Sequence, residues 1–184
     1  MGLAAALAAL LALAGPPALA GAPAETRVPP EVLPALGFED QVGLRLDLGA
    51  LRGRVVVIVY GGRAGLDHHV SWGKRIDRDL QSRGVYASAD HVGARPVRIL
   101  ALAQMGGVPE LIRPAVREAL RRHVEAGFSL WLDWDDRMSA LFGAREPHST
   151  VVVADRAGQV RLVAWGPPEG AAWLAVSEAL KRLL

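Results

Sequence analysis

The chain has 184 residues, 51% of them hydrophobic and 22% charged, a composition that excludes a disordered or fibrous class and fits about one globular domain. Lysine and arginine number 21 against 19 aspartates and glutamates, a net charge of +2 that demands no concentrated basic face, so no nucleic-acid partner is expected. There is no cysteine, which excludes disulfides, thiolate nucleophiles, iron–sulfur clusters and cysteine-based zinc sites.

In chain order, residues 3–14 form an unbroken Leu/Ala run, followed by Gly15-Pro16-Pro17 and then Ala18-Leu19-Ala20. An apolar run of that length ending in small residues spaced A-x-A predicts a cleavable signal peptide over residues 1–20, although no basic residue precedes the run. The helix breakers hold the run short of the ~20 residues that a membrane span needs. The expectation is cleavage near Ala20, a periplasmic or secreted product and no membrane span after cleavage. Residues 21–36, rich in Ala and Pro, read as a flexible leader, and residues 37–184 as the domain.

Residues 42–46 alternate as an edge strand would, and a turn follows over residues 48–53. Residues 55–60 (VVVIVY) are wholly apolar and β-branched, the mark of a central strand covered on both faces. The glycine-rich segment 61–65 leads into a predicted helix over residues 67–83, which Gly84 ends. Residues 97–103 predict a strand. A helix opening at Pro109 carries Leu111, Ile112, Ala115, Val116, Ala119, Leu120 and Val124 on one face, with Pro114 able to delay its start. A short strand at 130–133 and a helical turn at 138–142 come next. Strands at 150–154 and 159–165 then flank the turn Asp155-Arg156-Ala157-Gly158, and an amphipathic helix over 171–184 closes the chain. The early β-α-β units require parallel neighbours and the late hairpin antiparallel ones. Together they predict a three-layer α/β/α sandwich with a mixed central sheet.

The entry Phe38-Glu39-Asp40-Gln41-Val42-Gly43, running through Leu51-Arg52-Gly53-Arg54 into the apolar strand, resembles the redoxin branch of the thioredoxin-like superfamily. In that pattern the redox cysteines follow the strand at the first turn of the next helix. The corresponding positions here are Ala64 and Asp67. The cis-proline register, counted back from Asp155, falls at Ser149, two residues after Pro147. Gly62-Arg63 after the strand, with Glu146, Ser149 and the hairpin from Val151 to Val160, is similar to the YtfJ family of periplasmic thioredoxin-fold proteins, which lack the cysteine motif. That resemblance implies the fold, the compartment and a candidate face made of Gly62, Arg63, Ala64, Asp67, Glu146 and Ser149.

Physical chemistry gives the same face two readings. A glycine-rich strand-to-helix turn exposes backbone N–H groups at the positive end of a helix, where Arg63 could add a forked donor for an anion. The alternative is a tight structural turn with Asp67 as helix cap. The leading functional expectation is a non-catalytic binding or accessory module, its partner a periplasmic protein or a small anionic ligand. A second is a copper or zinc site built from His148 with His68 or His69, similar to Sco-type copper chaperones but without their cysteines. Successive helical residues point ~100° apart, so at most one of His68 and His69 is expected to face such a site. No cofactor is otherwise expected. A third is an enzyme of non-thiol chemistry on the same face.

Other clusters carry less. Asp90-His91 with Ser88 has the residue types of a hydrolytic dyad, but adjacency supplies neither nucleophile geometry nor an oxyanion hole. Asp133, Asp135 and Asp136 lack the glycine and distal glutamate of a calcium loop, which favours an acidic strand-end turn. Arg113, Arg117 and Arg121 form one helical stripe that Glu110, Glu118 and Glu125 dilute, read as a solvated face. Trp131, Trp134 and Trp165 read as core or rim packing.

Overall fold

The computed structural model describes residues 30–62, 65–86, 95–124, 128–145 and 147–184, with the side chains of Leu66, Asp67 and His123 excepted. The predicted signal peptide, Arg63, Ala64, Glu146 and the Ser88/Asp90/His91 group lie outside the described residues.

Seven strands form one mixed sheet: β1 (Gly37–Asp40), β2 (Arg45–Asp47), β3 (Val55–Gly61), β4 (Val97–Gln104), β5 (Leu130–Asp133), β6 (Thr150–Ala154) and β7 (Val160–Trp165), in the order β2-β1-β5-β4-β3-β6-β7. Strands β3, β4 and β5 run parallel to one another, while β1 is antiparallel to β2 and β5, β6 to β3 and β7 to β6. All seven residues of β3 are buried, as an apolar run in the middle of a doubly covered sheet requires. Four helices complete the domain: α1 (Leu66–Ser82), α2 (Arg113–His123), α3 (Arg137–Phe142) and α4 (Gly170–Leu183).

The pleat sends alternate residues of β3 into two cores. On one face Val55, Val57 and Val59 meet Trp72, Ile76 and Leu80 of α1 and Val176 and Leu180 of α4. Val59 lies opposite Ala101 and Ala101 opposite Leu130, so α2, whose Val116 and Leu120 pack on Ala101 and Leu130, shares that face. On the other face Val56, Ile58 and Tyr60 meet Phe38, Met138 and Phe142. The predicted three layers are present. Among the described residues no helix is long and apolar enough to cross a membrane.

Three local expectations need correction. Residues 42–46 are not one strand: the chain turns between β1 and β2. The Asp40 carboxylate accepts from the backbone N–H groups of Val42 and Leu44, and Gly43 takes φ +85°. Turn chemistry overrides an alternation that also occurs by chance, and Val42 and Leu44 are exposed. The helix expected from Pro109 starts as a 3₁₀ turn over Glu110–Ile112 and becomes α-helical at Arg113, with Pro114 in the first turn where no N–H is missed. Leu111 is consequently 90% exposed rather than part of the apolar face. Within the expected flexible leader, residues 31–33 dock on the β6–β7 hairpin: Leu33 is buried and donates to the Gly158 carbonyl, while Val160 donates to that of Glu31.

Candidate functional site

The candidate face forms where β3 ends. Gly65 donates to the Gly62 carbonyl across the turn, and α1 starts at Leu66 with Gly65 in the N-cap position and no side-chain cap. Asp67 therefore lies in the first turn of α1 and is not its cap, the role that the structural alternative gave it. Glycine cannot supply a side-chain oxygen, so a 17-residue helix presents its N-terminal N–H groups without side-chain capping. The opposite end of α1 is closed in full. Gly84, at φ +70°, donates to Gln81 and Val85 donates to Leu80, the paired bonds of a Schellman ending.

Beneath the turn lies His69, on the first turns of α1 and wholly buried. Its Nε2 is 2.7 Å from where a β-carbon on Gly61 would stand and 3.4 Å from the same point on Gly65. The carbonyl of His148 is 3.4 Å from that position on Gly61, and the carbonyl of Pro147 is 3.1 Å from that on Gly65. Close approach, rather than an unusual dihedral, thus dictates glycine at both places. The imidazole and the backbone of the segment before β6 thus close in on the same two glycines, at the end of β3 and at the start of α1.

Among the described residues neither ring nitrogen of His69 has a hydrogen-bond partner, and the same holds for the buried hydroxyl of Ser149. A buried polar group without a partner costs about 1–3 kcal/mol, and such groups in a native structure call for an explanation. Burial, reinforced by the neighbouring His68, pushes the His69 pKa down to about 4, so the ring is neutral at ordinary pH. The segment is held from below: Trp72 Nε1 donates to the Gly166 carbonyl at 3.0 Å, and Gly166 N–H donates to the Ser149 carbonyl at 3.1 Å.

The predicted site residues divide accordingly. The structure brings Gly61 and Gly65, on either side of the predicted turn, against the backbone of Pro147 and His148, which precede Ser149, and of the histidine pair it is His69 that is buried. His68 is half-buried with Nδ1 unpartnered, and the His148 side chain is exposed while its backbone touches the site. Among the described residues no group of three His, Asp or Glu side chains is placed to hold a metal ion. The acidic cluster is dispersed over separate tasks. Asp133 accepts from Met138 N–H at the start of α3, Asp136 from Gly106 N–H, and Asp135 faces Arg113 and Arg137 at 3.7 and 3.9 Å. The arginine stripe is not simply solvated, because Arg117 leaves its helix to pair with Glu39 of β1 at 2.8 Å.

One group at this end of the sheet was missed by sequence reasoning. Tyr60 is buried on the opposite face of β3, opposite Thr150, and its hydroxyl donates to the Gly143 carbonyl. Burial raises its pKa, the Thr150 hydroxyl lowers it and Asp133 raises it further, so the phenol stays protonated. The only signal in the sequence was a tyrosine at the end of an otherwise aliphatic run.

No protein-family model and no curated protein matches the chain. Solved structures do match it in fold. A candidate protein disulfide isomerase from Bacteroides thetaiotaomicron superposes with a TM-score of 0.59 at 14% identity, covering 86% of this chain and 91% of that one. A candidate thiol:disulfide interchange protein DsbE from Chlorobium tepidum gives 0.57 at 15% identity, covering 86% and 99%. A SCO1/SenC family lipoprotein from Bacillus anthracis gives 0.53 at 13% identity, covering 86% and 99%. At these identities the likeness concerns architecture alone, and the chain has a thioredoxin-like fold.

Proposed function

We propose that this chain is an exported, non-catalytic binding module that uses the thioredoxin-like fold without thiol chemistry. Its contact face is the turn carrying Gly62, Arg63 and Ala64, the first turn of α1 with Asp67, and the segment from Glu146 to Ser149. One observation carries the reading. An α-helix N-terminus without a side-chain cap lies at the strand end where open α/β sheets place ligands, and among the described residues His69 on that helix and Ser149 just before β6 are buried without hydrogen-bond partners. Polar groups left unsatisfied at such a place are a cost that a structural turn alone does not explain. With no cysteine in the chain, the disulfide exchange named for two of its structural neighbours has no reagent here. The N-terminal apolar run, the similarity to the YtfJ family and a lipoprotein among the structural neighbours support export to the periplasm.

The test is comparative capture from periplasmic extract with untagged-site variants Arg63→Ala and Glu146→Ala beside the unaltered chain. The expected result is that specific partners retained by the unaltered chain are lost from both variants. Identical partner sets in all three would overturn the reading. Metal analysis of the same preparations separates the copper or zinc alternative, which the unpartnered nitrogens of His68 and His69 favour. Stoichiometric metal that disappears in His148→Ala would move the face from partner binding to metal binding.

A further inference from the structure

A second site lies at the other edge of the sheet. Glu39 of β1 is opposite Leu132 and Arg45, which places all three on the face that carries α2. That helix packs over β4 and β5, and among the described residues no helix packs on that face of the outer strands β1 and β2. The result is a cleft of about 820 Å³, floored by Leu132 and walled by Arg45, Arg113, Arg117 and Trp134. Clefts of roughly 300–1,000 Å³ suit small organic ligands.

The hydrogen-bonding state of the arginines points to what enters. The guanidinium of Arg113 sits over the Trp134 ring, 5.1 Å from its centroid. Its nearest acceptors are distant: the Val108 carbonyl at 3.5 Å and the Asp135 carboxylate at 3.7 Å. Arg117 and Arg45 share a single carboxylate, that of Glu39, at 2.8 and 3.3 Å. The other nearby carboxylate on this face, Asp47, accepts from the Gly49 N–H. Four arginines line the cleft; Arg137 donates to the Gly37 carbonyl at 2.6 Å, and among the forks of Arg45, Arg113 and Arg117 one carboxylate, that of Glu39, supplies the close charge-assisted contacts. Asp47 and Glu110 also line the cleft, so that four arginines face three carboxylates and a single net positive charge favours an anion read chiefly by directed bonds. An indole wall beneath a guanidinium favours a flat, apolar body.

We propose that this cleft binds a planar organic acid, its carboxylate or phosphate held by Arg113 and Arg117 and its ring laid against the half-buried Trp134. The test is calorimetric titration of the full chain with benzoate, phenyl phosphate and the uncharged benzyl alcohol. Saturable binding of at least one acid and none of the alcohol is expected, and the preferred acid identifies the head group. Arg113→Gln is expected to weaken that binding by about tenfold or more. Glu39→Gln removes the carboxylate that occupies two of the forks and is expected to tighten binding several-fold, a change that a purely structural role for these residues does not produce. Absence of saturable binding of both acids at about 10 mM, a Kd regime weaker than any specific ligand, would overturn the proposal. So would equal affinity in Arg113→Gln, or weaker binding in a folded Glu39→Gln.

Discussion

Gly61→Ala destabilises the domain by about 1–3 kcal/mol, the range for a group forced into a filled interior. The added β-carbon would stand 2.7 Å from His69 Nε2 and 3.4 Å from the His148 carbonyl, and neither can retreat into solvent because the ring is wholly buried and the carbonyl is backbone. His69→Ala alone removes the ring and leaves a cavity, with its own loss of about 2–4 kcal/mol by analogy with other large-to-small core changes. The two losses are not additive. In the double variant the alanine at 61 occupies space that the ring vacated, so the combined loss falls below the sum by about 1 kcal/mol or more. Urea unfolding of the four proteins measures this coupling. Strict additivity would mean that the ring and the strand end do not share the space the structure gives them.

The second large effect is on pH. Burial lowers the His69 pKa to about 4, whereas an unfolded histidine titrates near 6.5. Between those values the unfolded chain binds a proton that the folded chain refuses. Stability is therefore full above about pH 6.5, falls as pH drops through the interval and levels off below about 4, with a loss on the order of 3 kcal/mol from this group. His69→Phe keeps an aromatic ring without a titrating nitrogen. Its stability relative to the unaltered chain is expected to rise as the pH is lowered from 7.5 to 4.5. Parallel stability curves for the two proteins would show that His69 is not the sealed, neutral group described here.

Much of this architecture was legible because the strongest signals were local. The β-branched run 55–60 marks the central strand, and the Asp155–Gly158 turn marks the last hairpin, where Gly158 takes φ +82° and the Asp155 carboxylate accepts from Ala157 and Gln159 N–H. Legibility failed where a turn imitated a strand, at residues 42–46, because period-two alternation says nothing about an Asp40 carboxylate folding the chain back. It failed also where long-range contact decides a residue's role. Helical geometry says that His68 and His69 diverge, but only the fit of the ring against Gly61 and Gly65 selects His69 as the buried member. Likewise the Arg113–Arg117–Arg121 stripe is visible in the sequence, while the reach of Arg117 to Glu39, 78 residues away, is not.

Next to the positions that the redoxin resemblance gives to the cysteines, the structure describes the end of β3, the start of α1 and the segment before β6. The buried His69 ring and the backbone of Pro147 and His148 close in on Gly61 and Gly65, and the Trp72–Gly166–Ser149 chain of hydrogen bonds ties the segment before β6 to α1. The role proposed for this helix end is to present a binding surface.

Site-specific photo-crosslinking tests that claim most directly. A benzophenone amino acid is placed at Arg63 or at the exposed His148 on the face, and at the exposed Arg161 of β7 as a control. After irradiation in intact cells, adducts of discrete mass are expected from positions 63 and 148 and not from 161. Adducts from 161 as abundant as those from the face, or none from 63 and 148, would contradict the account.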